Sequence, residues 1–509
     1  MGREVRIMLS SLVAFPLVLA PAPVQPHDLF TSHMVLQRGK PIQVWGSGAE
    51  GAAVRVSLGG HAASARVKDG KWSVTLRAMQ AGGPHTMTIT GPDGAKTLDD
   101  VLIGDVWVAS GQSNMEWAVD WSGEPDKAKE KANRYPNIRL FTVNKRAEGA
   151  PVANVIGSGW KVCSAQTVGP FSAVAFHFGA RVYDDAKVPI GLINTSWGGT
   201  PAEAWTTRER LETVPTMADR LKQYDAQIAW FERRKDDLMR TYNEAVAAFQ
   251  AAQRENRPTG PWPNHPDPRQ SPWGPATLYN GMVAPLRGYG AKGFIWYQGE
   301  SNAGRAYEYR TLMAQTVLTF REAFGGGDLP FYQVQLAPFM DIQKDPGESQ
   351  WAELREAQNI VAQRLKKVGV AVIVDAGDEK DIHPRDKVTV GNRLGLLALR
   401  DVYGKKIAAQ GPALQSARFG NGQATLRFAN CESGLLFRGD RLQGFSIAGD
   451  DKKFVWGNAE IVDGYTVRVS HPSVPYPKAV RYGWANYPTG NLWNGDGLPA
   501  SPFRTDVPK

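Results

Sequence analysis

A serine that attacks an acyl carbon needs a base to take its proton, an acid to orient that base, and N–H donors for the charge that develops on the carbonyl oxygen. The chain carries candidates for each near the ends of apolar runs. Ser113 stands in Ser110-Gly111-Gln112-Ser113-Asn114-Met115-Glu116-Trp117, directly after the apolar run at 101–109. That run reads as a buried strand, which puts Ser113 on a strand-to-helix turn, where N–H groups converge above the carboxyl edge of an α/β sheet. The same position suits a serine that only caps the next helix, so this stretch alone leaves nucleophile and cap open.

Three further loops follow apolar runs. After 368–374 comes Asp375-Ala376-Gly377-Asp378-Glu379-Lys380-Asp381-Ile382-His383-Pro384. His383 thus lies on a strand-to-helix loop beside several carboxylates, with Pro384 suited to the first position of a helix carrying Val390, Leu394 and Leu397. The run 189–194 ends in Thr195-Ser196-Trp197-Gly198-Gly199-Thr200-Pro201, where paired glycines permit close backbone approach and N–H donation; an ordinary tight turn reads the same way. The run 293–297 ends in Gln298-Gly299-Glu300-Ser301-Asn302, with an amide donor in Gln298 and a carboxylate in Glu300. Gly299-Glu300-Ser301-Asn302 echoes Gly111-Gln112-Ser113-Asn114, so Ser301 is a rival nucleophile, ranked below Ser113. Neither serine stands in Gly-x-Ser-x-Gly, which sets aside the α/β-hydrolase elbow.

Positioning these loops takes a sheet and its flanks. Residues 27–100 alternate apolar and polar positions between Asp-Gly turns, the pattern of antiparallel strands in a β domain. From 101 the apolar runs become continuous and are separated by helical segments, the pattern of a parallel sheet buried on both faces. An α/β domain in two parts, 101–205 and 286–405, is therefore interrupted at 206–285. That insertion opens on a helical hairpin or one long helix over 208–256 and continues into a proline-rich loop whose Trp and His residues rim a cleft or pack locally. Strand patterns return in a C-terminal β domain over 406–509.

Residues 1–24 combine Arg3 and Arg6, an apolar stretch and Ala20-Pro21-Ala22, the layout of a secretory signal peptide, and imply export to the periplasm or exterior. No later stretch has transmembrane character, so no stable membrane insertion is expected once the signal is removed. The formal charge of +9 is spread without a basic block or aromatic-basic module, which argues against nucleic acid as partner. Cys163 and Cys431 sit in different predicted domains and read as two buried thiols rather than a disulfide. The chain has no zinc-binding motif.

Ser-Gly-Gln-Ser-Asn-Met-Glu-Trp at 110–117, Trp-Gly-Gly-Thr at 197–200, Trp-Tyr-Gln-Gly-Glu-Ser-Asn at 296–302 and Asp-Ile-His-Pro at 381–384 together resemble the sialate O-acetylesterase family, carbohydrate esterases of the SGNH-hydrolase superfamily. Met34-Val35-Leu36-Gln37-Arg38 and Arg481-Tyr482-Gly483-Trp484 extend the resemblance over nearly the whole mature chain. It implies an SGNH/flavodoxin-like three-layer α/β fold flanked by β-sandwich-like domains, with Ser113 as nucleophile and His383 as base. It also implies an oxyanion hole from Ser113 N–H, Gly199 N–H and the Gln298 side chain. The superfamily usually has Asn in that last role, and often Asp three residues before the His, where this chain has Lys380. Asp381 is then the expected orienting acid, with Glu300 and Asp378 as alternatives. The expected substrate is an O-acetylated sugar, sialic acid or an acetylated plant polysaccharide, with no metal or organic cofactor required. Two rival readings are a glycoside hydrolase using Glu116 and Glu300, and a non-catalytic carbohydrate-binding protein.

Overall fold

The structure, a computed structural model, describes residues 22–506. Of the segment read as a signal peptide, residues 1–21 lie outside the described residues. Val24 is buried against Gly48 and Gly91, so the chain has entered the fold by that point.

The architecture turns on one strand, Gly94–Gly111. Its first part pairs antiparallel with Gly82–Gly91 and parallel with Val35–Gln37. Its second part lies between two parallel neighbours, Ile190–Ser196 and Gly293–Tyr297. The boundary expected between residues 100 and 101 is thus crossed by a continuous strand. Its residues are mixed in exposure up to Asp100 and continuously buried from Val101, because there the strand passes from a solvated sheet into a covered one.

The parallel part runs in the order Ile138–Thr142, Ile190–Ser196, Gly94–Gly111, Gly293–Tyr297, Phe331–Val334, Val368–Ala371, with Lys161–Val162 antiparallel at one edge. The chain fills one side of Gly94–Gly111 before crossing to the other. This strand is therefore the topological switch point, the place where loops diverge and leave a crevice. Side chains alternate between two cores. Phe294 and Trp296 share one with Phe320 and Leu354 of the helices Ala306–Ala323 and Gln350–Arg364. Ile295 and Tyr297 share the other with Phe178 and Leu394 of the helices Ala173–Ala186 and Lys387–Asp401. The latter two helices meet closely at Gly391, where a Cβ would stand 2.6 Å from the His177 Cβ.

The N-terminal β layer is bolted on by Asp105, fully buried in the central strand. Arg38 grips its carboxylate through Nε at 3.0 Å and Nη2 at 2.8 Å, and Gln37 and Tyr403 donate to it at 3.0 and 2.9 Å. The insertion is built on one helix, Ala218–Arg254, which buries only Leu221, Tyr224, Phe231 and Ala252. The C-terminal strands enclose a core of their own around Leu426, Phe445 and Val467. Cys163 and Cys431 are both free and buried. Among the described residues no helix is long and apolar enough to cross a membrane.

Arg355 joins the C-terminal segment to the sheet. Fully buried, it donates to the carbonyls of Leu336 and Ala337 at 2.8 and 3.1 Å and to those of Ala485 and Asn486 at 2.7 and 2.9 Å. Burial depresses its pKa to about 9. Ala337 and Asn486 keep second donors in Trp351 Nε1 and Phe339 N, but Arg355→Met strips the Leu336 and Ala485 carbonyls of theirs and is expected to cost about 3 kcal/mol or more of stability, read by denaturant unfolding.

Candidate active site

The switch-point strand ends in Gly111, which no other residue can replace. Its φ is +132°, and a Cβ there would stand 2.1 Å from the Tyr297 carbonyl oxygen of the neighbouring strand. Gln112 then stitches the two loops together. Its N–H donates to Tyr297 O at 2.9 Å, and its side-chain oxygen accepts from Gly299 N and Ser301 N, each at 3.3 Å. Ser113 opens the short helix Ser113–Glu116, whose N-cap is Gln112. Capping is therefore not the work of the Ser113 hydroxyl. Its Oγ lies 2.9 Å from His383 Nε2.

His383 reaches Ser113 from a loop that follows Val368–Ala371 and leads into Lys387–Asp401. The helix begins three residues after Pro384, with Asp386 as cap accepting from Thr389 N at 2.9 Å. The imidazole stacks on Trp117, ring centroids 4.6 Å apart and planes 15° from parallel. Asp381 accepts the His383 backbone N–H at 2.8 Å, and the same oxygen lies 3.5 Å from Nδ1, a charge contact longer than an ordinary hydrogen bond. Asp378 instead holds the loop, accepting from Lys380 N and Asp381 N at 2.9 and 3.1 Å.

Burial lowers the His383 pKa below the ordinary 6.5; Asp381 opposes the shift and Lys387 adds to it. A base must be neutral to accept a proton, so activity is lost as pH falls through this depressed value. The acid limb of kcat/KM is therefore expected below pH 6.5. A midpoint above that value in a pH–rate profile contradicts the assignment of His383 as the base.

The glycine turn packs directly on Ser113: a Cβ on Gly198 would stand 3.2 Å from the Ser113 Cβ. Gly198 N donates to Glu116 Oε2 at 2.6 Å, and Lys145 pairs with the other oxygen at 2.6 Å. Gly199 has a φ of +72°, and its carbonyl accepts from Trp273 Nε1 at 2.9 Å. Among the described residues, the N–H groups of Ser113 and Gly199 donate to no protein acceptor.

One expectation is corrected and one alternative set aside. Gln298 is fully buried with its carboxamide engaged: Nε2 donates to Asn302 Oδ1 at 2.6 Å and Thr200 O at 3.3 Å, and Oε1 accepts from Tyr309 Oη at 3.0 Å. It ties loops together and presents no free donor for an oxyanion. Glu300 makes no bond to His383. It accepts from Asn114 Nδ2 at 2.7 Å, and its second oxygen is buried without a partner, so Asp381 is the carboxylate that stands beside the imidazole.

Sequence reasoning missed what lies beneath. Lys387, the first residue of the helix that follows the His383 loop and fully buried, donates to Asn114 Oδ1 at 2.6 Å. Asn114 in turn donates to Glu300 and, at 3.0 Å, to Ile382 O, the residue before His383. The ammonium also stands 5.7 Å from the ring centroids of both Trp117 and Tyr297. Burial depresses Lys387 to about 7, with Glu300 opposing the shift, and burial raises Glu300. No sequence pattern signals this burial, since Lys387 opens the helix and His383 stands on the loop before it. Trp273 was visible as a tryptophan of the insertion, but its reach to Gly199 was not.

A pocket of about 310 Å³ adjoins the glycine turn, lined by Trp121, Lys145, Asn194 and Ser196 among others. A larger one, about 490 Å³, lies between Lys344 and the C-terminal strands around Arg441 and Trp456 and holds none of these residues.

A serine, a histidine on its hydroxyl and free N–H groups converge at the carboxyl end of a parallel sheet, and comparison with known proteins agrees with that chemistry. A family model described as carbohydrate esterase, sialic acid-specific acetylesterase, matches residues 103–256 and 268–398. The sialate O-acetylesterase of Mus musculus is 31% identical over 419 residues, 75% of this chain and 74% of that one. That of Rattus norvegicus is 30% identical over 420 residues, with shares of 75% and 74%. The crystal structure of XAC1771, a carbohydrate acetylesterase from Xanthomonas citri, superposes with a TM-score of 0.80 at 35% identity, covering 95% of this chain and all of that one. The chain belongs to the sialic acid-specific acetylesterase family of carbohydrate esterases.

Proposed function

We propose that this protein removes O-acetyl groups from carbohydrates through an acetyl-serine intermediate. The observation that carries the reading is the 2.9 Å approach of His383 Nε2 to Ser113 Oγ beside unpartnered N–H groups. Ser113 Oγ attacks the ester carbonyl as His383 takes its proton. The Ser113 and Gly199 N–H groups receive the developing oxyanion. The imidazolium, facing Asp381 and held by Trp117, returns the proton to the departing sugar oxygen. Water then attacks the acetyl-enzyme with His383 again as base, and acetate leaves.

The fold supports an SGNH-type core with its ligand crevice at the switch point, flanked by the two β regions; the N-terminal region is continuous with the core sheet. Export belongs to the same reading and rests on residues 1–24. The paired-carboxylate alternative loses support because Glu116 is held by Lys145 and Gly198 and Glu300 is buried. Incubation with O-acetylated sugars tests the proposal: acetate release with the glycosidic bonds intact supports it, and chain cleavage without acetate refutes it.

A further inference from the structure

Two tryptophans beside the serine are exposed although each is anchored to the catalytic loops. Trp121 is 56% exposed. Its carbonyl accepts from Trp117 Nε1 at 2.9 Å, and its ring meets Trp117 edge to face at 5.6 Å, on the indole that backs His383. Trp273 is 57% exposed, with Nε1 held by Gly199 O at 2.9 Å. Leaving an indole face in water forgoes its burial, and holding it rigid there makes it available to the apolar face of a ligand.

The pocket under Trp121 has the polar groups that a sugar edge needs. Ser196 Oγ donates to Asn194 Oδ1 at 2.7 Å, and the Asn194 amide N–H groups have no partner among the described residues. Asn144 lines the same pocket and is exposed. The one cation lining it, Lys145, is already paired with Glu116, so the lining is neutral overall and holds no spare charge for a carboxylate. The volume, about 310 Å³, lies at the lower end of ligand pockets, which suits a small ring.

We propose that Trp121 and Trp273 are the stacking platforms of a glycan-binding cleft that takes two rings of an uncharged, acetylated oligosaccharide, one beside His383 and one beside Gly199. This rests on the esterase reading and adds the substrate class: a ring within a neutral chain rather than a single acidic sugar. Trp273 has a second effect, since its indole N–H also fixes the carbonyl of the glycine whose N–H faces the oxyanion.

The test compares acetylated xylo-oligosaccharides, O-acetylated sialic acid and p-nitrophenyl acetate as substrates for the parent, Trp121→Ala, Trp273→Ala and the corresponding Tyr variants. Each Ala variant is expected to lose about tenfold more kcat/KM on the oligosaccharide than on p-nitrophenyl acetate, chiefly through KM for Trp121→Ala and through KM and kcat together for Trp273→Ala, and Trp121→Tyr to recover most of its loss. Binding is read separately. Ser113→Ala is expected to bind the oligosaccharide, and Ser113→Ala/Trp121→Ala to bind it about tenfold more weakly. Equal losses on both esters, unchanged binding in the double variant, no binding by Ser113→Ala, or a preference for O-acetylated sialic acid independent of either tryptophan overturns the proposal. Undiminished acetate release by Ser113→Ala would instead overturn the catalytic assignment and leave the binding result to stand or fall by itself.

Discussion

Ser113→Ala is expected to lower kcat by about 10⁴-fold or more while leaving the unfolding midpoint near that of the parent. The two halves of this result have separate causes. Activity falls because the hydroxyl is the group placed 2.9 Å from His383 Nε2, and no other hydroxyl in the site takes that position. Ser301, the rival with the same flanking pattern, is instead bound through its backbone N–H to the Gln112 side chain. Stability persists because the loops are stitched by the Gln112 side chain, so deletion of the Ser113 oxygen removes no bond on which the fold depends. The N–H donors proposed for the oxyanion remain in the variant and are expected to leave residual turnover above that of water. Kinetics on an acetylated sugar, with a thermal melt of each preparation, read both halves.

The second large effect is on stability. Lys387→Met is expected to cost about 3 kcal/mol or more, because it removes the cation that, among the described residues, acts on the buried Glu300, and strips the Asn114 oxygen of its donor. Adding Glu300→Gln should recover part of that loss, since a neutral amide no longer needs the ammonium. Equal unfolding free energies for the single and double variants would deny the coupling. The pH dependence carries a second signature. With Lys387 depressed to about 7 in the folded chain and near 10.5 when unfolded, the unfolded state binds more protons between those values, so stability from this group rises with pH across that window. The Met variant should lack this rise.

Why some of this was legible in the residues and some was not follows from what each pattern encodes. The strand Gly293–Tyr297 was predicted to the residue because all its side chains are buried, which a continuous apolar run reports directly. The strand His61–Arg66 was overlooked because alanines and a serine fill it and every position is at least partly exposed, leaving no apolar alternation to detect. Gly94–Gly111 was split in two because its environment changes midway, and periodicity records environment rather than continuity. At the site, Ser113, His383 and the glycine turn could be named because each follows a strand, and a parallel sheet delivers such loops to one edge. Gln298 went astray for a different reason: its type supplies a donor, but the direction of the carboxamide depends on Asn302, Thr200 and Tyr309. Lys387 was passed over because a lysine on a helix ordinarily faces water, and only the Asn114–Glu300 pair explains its burial.

The central claim is that Ser113 is the atom-level nucleophile, and reaction with a serine-directed organophosphorus inhibitor followed by peptide mass spectrometry tests it most directly. The account predicts one adduct, on the peptide bearing Ser113, formed in step with loss of esterase activity and slowed in His383→Ala. Full inactivation with the adduct on Ser301 or elsewhere, or full activity after complete labelling of Ser113, would contradict it.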